Sequence, residues 1–195
     1  MAFQKWYAAR LAEQSGAPSY SAEQLYRVAN RVQPGLIRIH ADEVTYNLHI
    51  IIRYRLERAL MAGDLAVADL PGAWNDAYQE ALGLTPPDDG VGCLQDVHWS
   101  GGSFGYFPSY TLGNLYAAAL GSRMEQELPN LWDEVEQGSF GSVLQWLRTH
   151  VHSRGAELDG PDLVREIVGD VDLVENMMGY LWSRHGALYG VSRAS

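Results

Sequence analysis

The segment from Gly92 to Tyr110 is where chemistry could gather. It reads Gly92-Cys93-Leu94-Gln95-Asp96-Val97-His98-Trp99-Ser100-Gly101-Gly102-Ser103-Phe104-Gly105-Tyr106-Phe107-Pro108-Ser109-Tyr110. Titratable, polar and aromatic side chains stand here among four glycines, and glycine lets backbone approach a ligand closely. Tyr106 and Tyr110 are four apart. On one helix they share a face, and their phenols could donate to one oxygen. Asp96 precedes His98 by two residues, and a carboxylate often sets the orientation of an imidazole. The same composition also suits an aromatic loop laid over the core. A second candidate is Ile37-Arg38-Ile39-His40-Ala41-Asp42. A guanidinium matches a carboxylate through two parallel hydrogen bonds, so Arg38 could clamp a ligand's carboxylate. An internal Arg–Asp ion pair is the commoner use of such a residue.

Metal chemistry finds less support. The histidines are His40, His49, His98, His150, His152 and His185. None is followed by Glu, so the chain has no H-E-x-x-H. His150 and His152 are too close in sequence to face one way on a helix and suit a solvated helix end. His185 suits a helix C-terminus, where a cation is favoured, and His49 suits a polar helix face. On ligand spacing, this chain does not hold a catalytic zinc.

The elements that must position these residues read as mainly helical. Phe3 to Gln14 has helical spacing, broken by Ser15-Gly16-Ala17-Pro18-Ser19. Ser21 and Gln24 form a capping box for a helix through Leu25, Val28 and Val32, stopped by Pro34-Gly35. Leu36 to His40 alternates and is β-branched, so a short strand or extended segment is expected there. Asp42 can cap a helix running to about Ala62, ended by Gly63. Val44, Leu48, Ile51, Ile52, Leu56 and Leu60 make its buried stripe; Tyr46, His49, Arg53 and Glu57 make a polar stripe elsewhere. Asp69-Leu70-Pro71 opens a helix through Trp74, Tyr78 and Leu82, and Pro86-Pro87-Asp88-Asp89-Gly90 is a loop. Thr111 to Leu128 is helical and rich in Gly and Ala, which suits close approach of another backbone. Leu131 to Val151, interrupted near Gly138, then Asp162 to Val168 and Val171 to Tyr189, complete the helices. Residues 1–195 read as one segment with no internal boundary.

Bulk properties limit the function classes. The formal net charge is −10, which repels a phosphate backbone and disfavours nucleic acid. Hydrophobic residues make up 47% and charged residues 19%, a globular composition. The single cysteine, Cys93, cannot form an intrachain disulfide, which fits a reducing compartment. No apolar run reaches membrane-spanning length, and the start lacks the apolar core of a signal peptide. The expectation is a cytosolic protein.

The two candidate segments together resemble motifs of the carboxypeptidase Taq family of zinc metallocarboxypeptidases. I-R-x-x-A-D is matched by Ile37 to Asp42, and G-x-x-Q-D-x-H-W by Gly92 to Trp99. Asp42 to Ile50, Asp69-Leu70-Pro71, Trp74-Asn75, Phe104 to Pro108, Trp146 to Arg148, His150 to His152 and Leu188-Tyr189-Gly190 also look like the family. The resemblance implies the C-terminal, substrate-facing part of a helical, groove-containing peptidase. It implies zinc in the complete enzyme, held by an H-E-x-x-H and a later Glu that have no equivalent here, and none bound by this chain. It further implies homodimers, a peptide C-terminus as substrate and, for activity, an N-terminal half carrying the metal site; the chain would then be a truncated gene product or one half of a split enzyme. By likeness to related helical zinc peptidases, His98 and Tyr110 would stabilise the oxyanion, with Tyr106 assisting or lining the pocket. Arg38 would fix the substrate's terminal carboxylate, with Asp42, Gln95 and Asp96 around it. A non-catalytic peptide-binding or dimerisation module derived from such an enzyme is the alternative.

Overall fold

The computed structural model describes residues 1–14 and 19–193. Most of the break read at Ser15 to Ser19 therefore lies outside the described residues. The helices are α1 (Ala2–Glu13), α2 (Ala22–Ala29), α3 (Tyr46–Ala62), α4 (Leu70–Leu82), α5 (Pro108–Glu127), α6 (Leu131–Glu136), α7 (Gly141–His150), α8 (Gly160–Val168) and α9 (Leu173–Leu181). Among the described residues there is no strand. The chain divides into two compact units: Met1–Asn30 with Asn114–Ser195, and Arg31–Gly113.

The Arg31–Gly113 unit is built on α3 and α4. Ile52 and Leu56 from α3, and Trp74, Tyr78 and Leu82 from α4, form its core with Cys93. The α4 residues recur every four positions, so one stripe of the helix is buried. Trp74 and Tyr78 stack with ring centroids 5.0 Å apart. Each such buried side chain contributes about 2 kcal/mol of transfer free energy. Gly63 ends α3 in the left-handed conformation, φ 79°, where glycine avoids the Cβ penalty. Pro71 sits in the first turn of α4, where a missing N–H costs nothing.

Two features of this unit differ from the sequence reading. The segment expected to be extended makes a 3-10 turn over Arg38–His40. The backbone N–H of Arg38 donates to Gln95 Oε1 at 3.0 Å, and Leu36 O accepts from Gln95 Nε2 and the Tyr78 hydroxyl. Side chains thus satisfy groups that a ladder would otherwise have to pair, and Ile39 is left exposed. The second difference lies in α3. Its polar stripe is buried: His49 and Arg53 are 0% exposed and Glu57 6%, while Ile51 is 39% exposed. The helix turns its charged side toward partners from the loops, and the site grows from that side.

In the other unit, Met124, Leu131, Val135 and Trp146 form the core. α1 packs on α6 and α2, and Phe3, Trp6 and Phe140 cluster beside them. The Ser21–Gln24 capping box is reciprocal, at 2.8 and 3.1 Å. α2 stops at Ala29, before Val32 and Pro34; at its end buried Asn30 adds its side-chain amide to its backbone N–H on Tyr26 O, at 2.7 Å. Gly138 separates α6 from α7 at φ 77°. α9 runs into a π turn, Trp182–Gly186, in which His185 is buried. In α5 a Cβ at Gly113 or Gly121 would meet nothing within 4 Å among the described residues.

Candidate functional site

Every residue of the site lies in the Arg31–Gly113 unit. Its centre is the carboxylate of Asp96, shared by two buried guanidiniums. Arg38 Nε and Nη2 donate to Asp96 Oδ1 at 3.0 and 2.7 Å. Arg53 Nε donates to Oδ2 at 2.5 Å. Burial alone would raise the Asp96 carboxyl; hydrogen bonds and charge from Arg38 and Arg53 outweigh it and hold the group below its ordinary value. Arg38 also donates from Nη1 to the Tyr46 hydroxyl at 3.2 Å. Its guanidinium lies over the ring of Tyr110, 5.0 Å from the centroid. Arg53 lies over Trp74 at 4.7 Å and donates from Nη1 to His49 O and the Tyr78 hydroxyl.

Beneath this pair is a polar floor. The Tyr78 hydroxyl donates its one proton to Leu36 O at 3.2 Å. Its oxygen then accepts from Arg53 Nη1, at 3.2 Å, and from His49 Nδ1, at 3.0 Å. That network assigns His49 the Nδ1–H tautomer and leaves its Nε2 buried without a partner. Burial, with the charges of Arg53 and Arg38, holds the His49 imidazole down at about 4. Gln95 closes the floor, donating from Nε2 to Leu36 O, Val91 O and Gly92 O.

The glycine-rich loop supplies the open side. His98 Nε2 is 3.0 Å from the Tyr110 hydroxyl, and its ring packs on Phe107 with centroids 4.4 Å apart. Tyr106 stands half exposed, edge-on to Tyr110 at 5.4 Å. Glu57 clasps the loop at two points: Oε2 accepts from Trp99 Nε1 at 2.9 Å and Oε1 from the Gly105 amide.

The structure therefore brings together Arg38, Gln95, Asp96, His98, Tyr106 and Tyr110. Asp42 takes another place. Its carboxylate accepts from Val44 N, Thr45 N, Thr45 Oγ1 and Gln33 N, so it folds the turn that leads into α3. Asp96 does not hydrogen-bond His98: Nδ1 stands 3.8 Å from Oδ1, and both carboxylate oxygens already serve arginines. Sequence reasoning missed Arg53, His49, Glu57 and Tyr78 as members of the site. Three of them were visible as a stripe on α3, but nothing in the spacing said that stripe faced inward.

Residues 1–185 match the family of carboxypeptidase Taq (M32) metallopeptidases. The chain belongs to that family. It is 44% identical over 169 residues to carboxypeptidase 1 of Bacillus subtilis, covering 87% of this chain and 34% of the relative. It is 45% identical over 170 residues to thermostable carboxypeptidase 1 of Thermus thermophilus, covering 87% and 33%. Its fold superposes on the M32 carboxypeptidase of Deinococcus radiodurans with TM-score 0.90 at 38% identity, covering 97% of this chain and 39% of that one. The M32 chain described here thus spans about a third of the length of the curated relatives it matches.

A metallopeptidase family implies a metal. Among the described residues, no three of His, Cys, Asp and Glu gather to hold one. His98 faces Tyr110 and aromatic rings, Asp96 is saturated by arginines, and Glu57 accepts from an indole and an amide. The residues present do not fit the metal. None of the described helices is long and apolar enough to cross a membrane.

Proposed function

We propose that this M32 chain is the substrate-binding wall of a zinc metallocarboxypeptidase, an enzyme that hydrolyses the last peptide bond of a polypeptide. One observation carries the reading: a buried arginine, a histidine and two tyrosines converge beside a half-exposed loop. Arg38 receives the terminal carboxylate of the peptide. Held by Asp96 and Tyr46, its guanidinium loses little side-chain freedom on binding. Gln95 holds the Arg38 backbone, and Asp42 acts at one remove through the turn before α3. His98 and Tyr110 serve the carbonyl oxygen on which negative charge develops. With its proton on Nε2, His98 donates to the Tyr110 oxygen and frees the phenolic proton for the substrate. Tyr106 lines the approach.

The zinc belongs to the complete enzyme, bound by residues other than those of this cluster, and turnover requires that part as a partner. The exposed apolar side chains of the chain favour self-association. A second reading, a non-catalytic peptide-binding or dimerisation module, is favoured by one feature: Arg38, Arg53 and Asp96 are paired with one another without metal ligands.

The test is release of the C-terminal amino acid from an N-blocked dipeptide, with zinc and with a chelator, alongside binding of the same dipeptide. Binding that ignores the chelator, with no release by the chain alone, is expected. Release that starts on adding an N-terminal half in trans selects the enzyme over the module. Chelator-sensitive release by the chain alone would overturn the assignment of the metal to other residues.

A further inference from the structure

We infer that Arg53 makes the cluster able to take an anion, acting through Asp96 as a positioning residue that need not touch the ligand. This rests on the reading of Arg38 as a carboxylate clamp and explains how an arginine already in an ion pair can serve as one.

Arg38 alone with Asp96 would be a neutral pair. Its Nε and Nη2 both sit on Asp96 Oδ1, at 3.0 and 2.7 Å, and a second carboxylate would have to compete with the first. Arg53 changes that balance. It is 0% exposed and binds the other oxygen, Oδ2, at 2.5 Å. Asp96 is the carboxylate that each guanidinium reaches within 4.0 Å. The remaining carboxylates nearby are engaged by neutral donors: Glu57 by Trp99 and Gly105, Asp42 by its own turn. Two guanidiniums on one carboxylate leave one positive charge on this triad, with the charges of Glu57 and Asp42 outside it. Arg38 is the outer of the two, with the phenols of Tyr46 and Tyr110 beside it, so that charge is available at Arg38.

Arg53 is also built in rather than merely nearby. Its Nη1 is tied to His49 O and the Tyr78 hydroxyl, at 2.9 and 3.2 Å. Its plane lies over Trp74, and its Nη2 is buried with no hydrogen-bond partner. A buried donor left unmatched costs stability, and an apolar residue of similar length would avoid that cost. What the arginine adds over such a residue is charge.

The ligand class is a peptide with a free C-terminal carboxylate, and the probes are an N-blocked dipeptide and its C-terminal amide. Their affinities for the full chain are measured by calorimetry, with folding checked by circular dichroism. The wild-type chain should prefer the carboxylate. R53M should lower that preference about tenfold, as expected for loss of one unit charge from a partly desolvated site, with little change in amide binding. R53M/D96N returns one net positive charge, and Asn keeps an amide oxygen for Arg38; it should regain the preference. A purely structural role for Arg53 predicts the opposite, the double variant binding no better than the single. A preference that survives in folded R53M refutes the inference alone. Absence of any preference in the wild-type chain refutes the Arg38 clamp and the inference with it. Should R53M not fold, a folded R53M/D96N that does not prefer the carboxylate still overturns the inference.

Discussion

His49 sits wholly inside the Arg31–Gly113 unit, and burial with two neighbouring arginines holds its imidazole at about 4 against an ordinary 6.5. In the unfolded chain the ring takes up a proton as pH falls through 6.5; in the folded chain it does so only near 4. Between those values the unfolded state binds more protons, so stability must fall as pH falls, and the loss levels off below 4. At 1.36 kcal/mol per pH unit the interval is worth about 3 kcal/mol. Asp42 and Asp96 are held below their ordinary values, Asp96 by Arg38 and Arg53 and Asp42 by hydrogen bonds from its turn. Their contributions are lost only in more acid solution, below the His49 window. The perturbation is H49N, whose side-chain amide can still donate to the Tyr78 hydroxyl as Nδ1 does at 3.0 Å, without titrating. Urea unfolding at pH 7 and pH 4.5 gives the comparison. The wild-type chain should lose about 2–3 kcal/mol more than H49N between the two. Equal losses would mean that His49 takes its proton in the folded state near its usual value, and that the polar floor is open to water.

Three further outcomes follow from the same contacts. Y78F removes the hydroxyl that serves Leu36 O, Arg53 Nη1 and His49 Nδ1; Leu36 O keeps Gln95 and Arg53 Nη1 keeps His49 O, so His49 Nδ1 alone loses its partner, which should cost about 1–3 kcal/mol by urea midpoint. G138A forces a side chain onto a backbone at φ 77° and against the Trp6 indole, so it should lower the melting temperature by several degrees, about 2 kcal/mol in free energy. R38M should abolish the preference for a C-terminal carboxylate over its amide in the dipeptide assay while leaving binding unaffected by chelator; a retained preference would move the clamp elsewhere.

Much of the fold was legible because local rules acted alone there. The Ser21–Gln24 capping box, the Gly63 stop, the Pro71 start and the Trp74–Tyr78–Leu82 stripe each depend on residues within a turn or two of one another. The failures share a different cause. Leu36 to His40 carries the alternation of a strand, yet its backbone groups are met by Gln95 and Tyr78, about 60 and 40 residues away in sequence. α2 ends early, at Asn30, whose side-chain amide bonds back to Tyr26 O. The polar stripe of α3 reads as separate from the buried one by the ordinary rule that charge faces water. Here the rule yields because Asp96, Tyr78, Trp99 and Gly105 supply every charged group on that stripe with a partner.

The same argument bears on the site. The two motifs named Arg38, Gln95, Asp96 and His98, residues that form the middle of the cluster. They did not name Arg53, His49, Glu57 or Tyr78, which hold those residues from behind. A sequence motif records the residues that are close in the chain, whereas a buried charge requires neighbours from wherever the fold supplies them. Asp96 shows the consequence. Two residues from His98, it reads as the carboxylate that orients an imidazole; with Oδ1 on Arg38 and Oδ2 on Arg53 it is the joint between two cations. Its protonation or removal would therefore first alter the charge presented at Arg38, and the His98–Tyr110 pair only through packing. D96N should accordingly change carboxylate binding while the His98 ring keeps its contact with Phe107 and Tyr110. Nuclear magnetic resonance of the His98 side chain reads that directly, and a large change in its signals at unchanged carboxylate binding would restore Asp96 to the role the sequence suggested.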